Sequence, residues 1–306
     1  MSDLLLGASF PANTLGLDDL DELDAWIDGV AAAGYDYISF GDHVLGVDAR
    51  GLSPGRLAQW ERHYPGVQAR TPYDHEVVFR EPFVLLTYVA TRCALSLTTG
   101  LLVLPQRQTA LVAKQAAEVD LISGERLRLG VGVGWNTVEY SGLGASFRDR
   151  QDMLEEQMVL LRRFWTEPVV DFSGRFHTIE SSGIQALPRR AIPLWIGGDG
   201  PRSLDRIGRL ADGWQPPGRV QPGVDATEKL EVIHRAAECA GRDPGSIGVE
   251  ARLFMKGGRT PGEIREFADS WRRHGTTHMC IETRDAPGGT VAAHLDQLGS
   301  VTRDLL

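Results

Sequence analysis

Asp42 and His43 stand side by side in the segment GDHV, directly after the apolar run YDYISF. Imidazole, with an unperturbed pKa of roughly 6.5, suits proton transfer near neutrality, and an adjacent carboxylate can hold a polar group of a ligand. The same pair also reads as a surface turn with a helix-capping aspartate. Glu139, Asp199 and Glu282 likewise fall near the ends of apolar runs. Two carboxylates roughly 5–10 Å apart would be the apparatus of glycoside hydrolysis, but nothing in the spacing pairs any two of these acids. His63, His75 and His177 lie in polar stretches and carry no comparable signal.

Glycine makes the second pattern. In LRLGVGVGWNTVEY, alternation puts Leu127, Leu129, Val131 and Val133 on one face of a strand and Arg128, Gly130, Gly132 and Gly134 on the other. The dinucleotide fingerprint fails because Trp135 occupies the last glycine position, and no Gly-Lys-Ser/Thr follows to make a P-loop. Two readings remain: a bare face on which a planar ring can lie, with Trp135, Asn136 and Glu139 just beyond it, or close packing of strand against strand. Gly100, inside TTGLLVLP, marks an irregular backbone of the bulge kind. In PLWIGGDGPRSL, Gly197, Gly198, Asp199 and Gly200 precede Pro201, which is suited to open a helix. Unpaired N–H groups and the helix dipole favour a phosphate there; a plain glycine-rich turn is the alternative.

These residues need a scaffold that gathers the ends of apolar runs. LLLGASF, YDYISF, ALSLTTGLLVLP, LRLGVGVG, PLWIGG, DGWQP, IGVEARLFM and THMCIET read as eight strands, with helical patterns between them. In the first helix Leu20, Leu23, Ile27 and Val30 recur at helical spacing, Asp18 and Asp19 suit its positive end and Gly34 its stop. The fourth helix begins near Asp149. After it, VVDFSGRFHTIESSGIQALPRR reads as a hairpin insertion over residues 168–190. The alternation predicts an α/β fold, a (β/α)₈ TIM barrel rather than an open doubly wound sheet, formed by a single domain over residues 1–306. In either architecture ligands bind beyond the C-terminal ends of the strands. The loop from Val44 to Phe79, carrying Trp60, Tyr64 and Tyr73, is long enough to serve as lid and specificity element.

Composition limits the partners. A chain of 306 residues with 42% hydrophobic content can bury a large core. Its formal charge of -9, without a Lys/Arg run, opposes nucleic acid. No window approaches the roughly 18 apolar residues of a spanning helix, and MSDLLLGASF lacks a basic n-region, so a cytoplasmic protein without membrane attachment is expected. Cys93, Cys239 and Cys280 show no ligand spacing, so neither disulfides nor a metal site are expected.

Together GDHV, TGLLVLPQRQTALVAKQAAEVDLISGERLRLGVGVGW and PLWIGGDGPRSLDRIGRLADGW resemble the bacterial luciferase-like monooxygenase superfamily, in its coenzyme F420-dependent oxidoreductase branch. The resemblance runs over almost the whole chain. It implies a barrel with an insertion after the fourth helix, F420 or FMN at the mouth, Asp42 against the deazaflavin, and His43 near its reactive face as the catalytic acid or base. It also implies a non-prolyl cis peptide at Gly100-Leu101, supporting one side of the ring. The cofactor phosphate would lie near Gly197, Gly198, Asp199 and Gly200, with Asp199 turned away or bridged to it. Trp135 stands where the sugar-phosphate dehydrogenases of the branch carry a catalytic glutamate, and Val138 where they carry an asparagine, which argues against sugar-phosphate oxidation. The implied activity is hydride transfer between F420 and a small organic substrate. The alternatives are an FMN-dependent monooxygenase using O₂ with a partner reductase, and a cofactor-binding barrel without turnover. Family members are often homodimers.

Overall fold

The computed structural model describes residues 4–12, 14–15, 20–62, 73–283 and 286–305. Asp18, Asp19, His63 and Tyr64 lie outside the described residues. The strands are β1 (Leu5–Ser9), β2 (Tyr37–Phe40), β3 (Ser96–Thr99), β4 (Leu102–Val103), β5 (Leu127–Gly132), β6 (Val170–Ser173), β7 (Thr178–Ser182), β8 (Leu194–Gly197), β9 (Gly213–Gln215), β10 (Gly248–Phe254) and β11 (His278–Glu282). All but β6 and β7 pair in parallel, and the pairings of β1 with β11 and of β3 with β5 close the sheet on itself. β3 and β4 are two halves of one stave, both paired with β5. The expected eight-stranded barrel results, and the Gly100-Leu101 peptide between the two halves is cis. β6 and β7 pair antiparallel as the inserted hairpin, after the helix Arg150–Thr166.

The outward face of each stave is apolar because a helix covers it. Leu127, Leu129 and Val131 are fully buried against the outer layer, and from the first helix, Leu20–Ala32, the residues Leu23, Trp26, Ile27 and Val30 are buried. Leu20 differs from the sequence pattern. It opens that helix and stays 61% exposed, because the buried stripe begins only at Leu23. Gly34, with φ +82°, turns the chain out of this helix as its position predicts. The stretch between Val44 and Phe79 is more than a loop: it holds a helix, Pro54–Glu61. Trp60 from that helix joins Val47 and Ala49 in a small core, against which Tyr73, Trp135 and Val138 pack.

Inside the barrel, charge replaces apolar filling. The Arg128 guanidinium lies 4.8 Å from the Tyr37 ring centroid and 4.2 Å from that of Trp195, and it pairs with Glu250. Glu250 also accepts from Tyr37 Oη (3.0 Å) and Gln215 Nε2 (2.9 Å). One layer higher, Arg252 pairs with Glu282. Burial works against the Glu250 carboxylate, yet Arg128 and then Arg252 hold it below the usual carboxylate range.

Two buried histidines give the fold a pH dependence. Burial pushes His278 and His294 down to about 4, with Arg128 adding to the effect on His278. Thr14 and Thr283 hold the two ring nitrogens of His294 at 2.9 and 2.8 Å. Between about pH 4 and 6.5 the unfolded chain binds more protons than the folded one, so stability is expected to fall as pH drops through that window and to level off below it. Urea midpoints of the wild type and of His294→Gln across the window test this, and parallel curves would refute the assignment for His294.

Candidate active site

A cavity of about 330 Å³ opens at the C-terminal ends of the staves. Of the residues singled out in the sequence, Asp42, His43, Gly100, Leu101, Gly132, Gly134, Trp135, Gly197 and Gly198 line it. Asp199 and Gly200 do not. Glu139, Gln215, Arg252 and Glu282 line it as well.

His43 sits in a wall of rings, with centroids 4.5 Å from Tyr73, 5.0 Å from Phe79 and 6.2 Å from Trp135. Its Nδ1 lies 3.2 Å from Glu139 Oε2. Oε1 of the same carboxylate accepts from the backbone N–H of Val44 (2.5 Å) and Leu45 (3.2 Å). Burial opposes the charge on Glu139, but His43 and these two N–H groups outweigh it and hold the carboxyl below its usual range. An ionised carboxylate only accepts, so Nδ1 carries the hydrogen and Nε2 is left for proton exchange. Glu139 is therefore the orienting partner of His43. A local sign of its placement is Asn136, whose side chain caps the helix Thr137–Gly142 by accepting from Val138 N and Glu139 N, fixing Glu139 in the first turn.

Asp42 is buried, unlike the capping residue of a surface turn. Arg107 grips its carboxylate through Nη2 (2.7 Å) and Nε (3.2 Å), and Val103 N donates to it at 2.9 Å. It thereby ties the end of β2 to the segment after the cis peptide. Arg107 carries no signal in the sequence, since its partner is 65 residues away.

At the glycines the structure shows close packing, the second of the two sequence readings. A Cβ on Gly130 would collide with the Thr99 carbonyl and Gln215, so there the missing side chain serves packing within the barrel. A Cβ on Gly132 would come within 3.0 Å of Leu101, and one on Gly197 would collide with it. The face is bare so that Leu101 can lie across it, and Leu101 in turn forms part of the cavity surface. Gly134, with φ +61°, turns the chain away past the strand end.

Asp199 points to Arg219, which holds both carboxylate oxygens at 2.5 and 2.8 Å. Its charge is thus answered within the protein. Gly200 caps the helix Pro201–Leu210 without a side-chain hydrogen bond; Pro201 has no N–H, and the N–H groups of Ser203 and Leu204 donate to the Gly200 carbonyl at 2.8 and 3.0 Å. Each of the four mouth acids has its own partner: Asp42 with Arg107, Glu139 with His43, Asp199 with Arg219, and Glu282 with Arg252. His177, held by Glu156 (2.7 Å) and Thr109 (2.6 Å), anchors the hairpin and does not line the cavity.

These features fit a flat ring with a phosphate-bearing tail. Leu101 seated on two glycines gives a flat apolar shelf, and the helix Pro201–Leu210 presents the positive end of its dipole beside Gly198. Of the ionisable side chains lining the cavity, His43 and Arg252 each expose 12%, whereas Asp42, Glu139 and Glu282 expose 1%. Of these five, His43 and Arg252 are the more accessible to a ligand, and the phenol-bearing Tyr73 lines the cavity as well.

Comparison with known proteins agrees with this geometry. A phthiodiolone/phenolphthiodiolone dimycocerosates ketoreductase of Mycobacterium kansasii is 29% identical over 268 residues, 80% of this chain and 70% of that protein. An F420-dependent hydroxymycolic acid dehydrogenase of Mycobacterium tuberculosis is 30% identical over 165 residues, 53% of this chain, and the match covers less than half (45%) of that relative's length. The solved structure of an F420-dependent secondary alcohol dehydrogenase in complex with an F420-acetone adduct shares the fold, with a TM-score of 0.77 over 100% of both chains at 16% identity. Residues 4–299 match the model of the luciferase-like monooxygenase family. A closed parallel barrel, a split third stave and a mouth with one oriented histidine thus accompany a sequence match over nearly the whole chain, and the protein belongs to the luciferase-like monooxygenases, a family of oxidoreductases.

Proposed function

We propose that this chain is an F420-dependent oxidoreductase acting on an alcohol or carbonyl substrate. The observation that carries the reading is the His43–Glu139 pair in the wall beside the Leu101 shelf. Names of relatives that are dehydrogenases and ketoreductases support the alcohol–carbonyl chemistry. When bound, the deazaflavin supplies hydride acceptance or donation. His43 Nε2 takes the hydroxyl proton in the oxidative direction and returns it to the carbonyl oxygen in the reductive one. Glu139 keeps the imidazole in the matching tautomer and stabilises its charged form. Leu101, seated on Gly132 and Gly197, would support one side of the ring, Gly198 and the start of the helix Pro201–Leu210 would hold the phosphate, and the aromatic wall would exclude water.

Parallel titration of the purified chain with F420 and FMN, followed by absorbance, tests the cofactor. F420 is expected to bind at least about tenfold more tightly; the reverse order would favour the FMN-dependent monooxygenase. Gly132→Arg should abolish binding, because its side chain would displace Leu101 and enter the ring space. Unchanged affinity in that variant, once shown to be folded, would remove the shelf from the site. Tight F420 binding without hydride transfer to any member of a broad alcohol and ketone panel would identify a binding barrel instead.

A further inference from the structure

We infer that Trp135 limits the size of the group that fits beside the reacting carbon, and that Trp60, from behind the cavity surface, holds Trp135 in that position. The inference rests on the proposed reaction at His43. Three observations carry it.

The first is where Trp135 stands. It lines the cavity, with its ring centroid 6.2 Å from that of His43 and 5.4 Å from that of Tyr73. In a cavity of about 330 Å³ that the cofactor ring must share, a substrate at His43 occupies space that this indole bounds.

The second is the part of the structure that carries it. Trp135 packs against the small core of Val47, Ala49 and Trp60, together with Tyr73, and these four residues come from the stretch between Val44 and Phe79. The shelf is built differently: Gly132 and Gly197 end β5 and β8, and Leu101 lies in the bend between β3 and β4. Arg252 and Glu282 come from β10 and β11 and pair with each other. Shelf and charged pair thus belong to the barrel, and the indole belongs to the wall beside His43. On that ground it is assigned to the substrate and not to the cofactor ring.

The third is how firmly it is held. Gly134 turns the backbone just before it with φ +61°, and Asn136 just after it caps the next helix. Behind the indole lies Trp60, 3% exposed and outside the cavity, with its ring centroid 5.0 Å away at an interplanar angle of 58°. The helix Pro54–Glu61 that carries Trp60 is itself fastened to the helix Thr137–Gly142. Arg56 donates to the Thr137 carbonyl (2.9 Å) and to Ser141 Oγ (3.1 Å), and Gln59 Oε1 accepts from Thr137 Oγ1 (3.1 Å). An indole backed in this way yields to a bulky substrate only if Trp60 moves too. Trp135 is therefore the residue that meets the substrate, and Trp60 is a positioning residue that acts through it.

Two ketones test this, acetone and the bulkier acetophenone. The measured quantity is the ratio of acetophenone to acetone, read as kcat/KM with reduced F420 and as binding by saturation-transfer NMR of the full chain, with and without cofactor. In Trp135→Ala the ratio is expected to rise at least about tenfold, the scale on which an apolar pocket discriminates by size. Trp60→Ala should raise it about three- to tenfold from outside the cavity, with Trp60→Leu as the milder variant if the first does not fold. Trp60→Phe, which keeps a ring behind Trp135, should stay near the wild type. An unchanged ratio in Trp135→Ala, or a loss of F420 affinity in that variant, would overturn the assignment of Trp135 to the substrate. An unchanged ratio in the folded Trp60 variant would overturn the clamp. Because the binding ratio is read without turnover, the failures are distinguishable: a chain that does not bind F420 sinks the proposed cofactor, one that gives no ketone signal sinks the proposed substrate class and this inference with it, and an unchanged ratio in a chain that binds both sinks this inference alone.

Discussion

His43→Ala is expected to lower kcat by about 10²- to 10⁴-fold, the range that a positioned acid or base supplies, while cofactor affinity changes little. The expectation follows from Nδ1 being committed to Glu139 at 3.2 Å, which leaves Nε2 as the exchanging atom. Glu139→Gln should lose much of the same factor. A glutamine amide can donate to Nδ1 and so select the tautomer with the hydrogen on Nε2, which is wrong for accepting a proton. Because the two residues act as one unit, the double variant should lose scarcely more than His43→Ala alone. Single-turnover rates at saturating cofactor, with separate cofactor titrations, check this. Normal turnover combined with lost cofactor affinity would make His43 a binding residue instead. Fully additive losses would mean that Glu139 acts independently of it.

The second large effect concerns stability. Glu250→Ala would leave Arg128 and Arg252 inside the barrel without the carboxylate that Arg128 pairs with and that lies 3.8 Å from Arg252. Removing one partner of a buried ionic cluster typically costs about 3–5 kcal/mol, enough to consume a large part of the net stability of an ordinary domain. Urea unfolding should show it, and Glu250→Ala combined with Arg128→Met should recover part of the loss. A cost under about 1 kcal/mol would mean that water replaces the carboxylate at low expense.

The barrel was legible because its staves and the helices between them announce themselves locally, through apolar runs, helical spacing and turn residues, whereas the helix Pro54–Glu61 lies in a stretch that reads as loop. The hairpin and the cis peptide were reached through the resemblance and through the β-branched stretch around Ser173. The site was legible only where its residues carry a local signature, as GDHV and the glycines do. Glu139 was visible as an acid near a strand end, but its bond to His43 spans 96 positions. Arg107 and Arg252 lay beyond reach for the same reason: barrel closure joins the ends of distant strands, and one-dimensional spacing does not record who meets whom. The glycine face shows the same limit. Alternation correctly put Gly130 and Gly132 on the inner side, but the groups that fill the space, Gln215 and Leu101, come from other staves.

Glu139 divides one carboxylate between a side chain and the backbone, since Oε2 faces His43 while Oε1 takes the N–H groups of Val44 and Leu45. The same side chain therefore fixes both the orientation of the imidazole and the course of the backbone that leaves it, so a substitution at Glu139 disturbs a ring and a loop together.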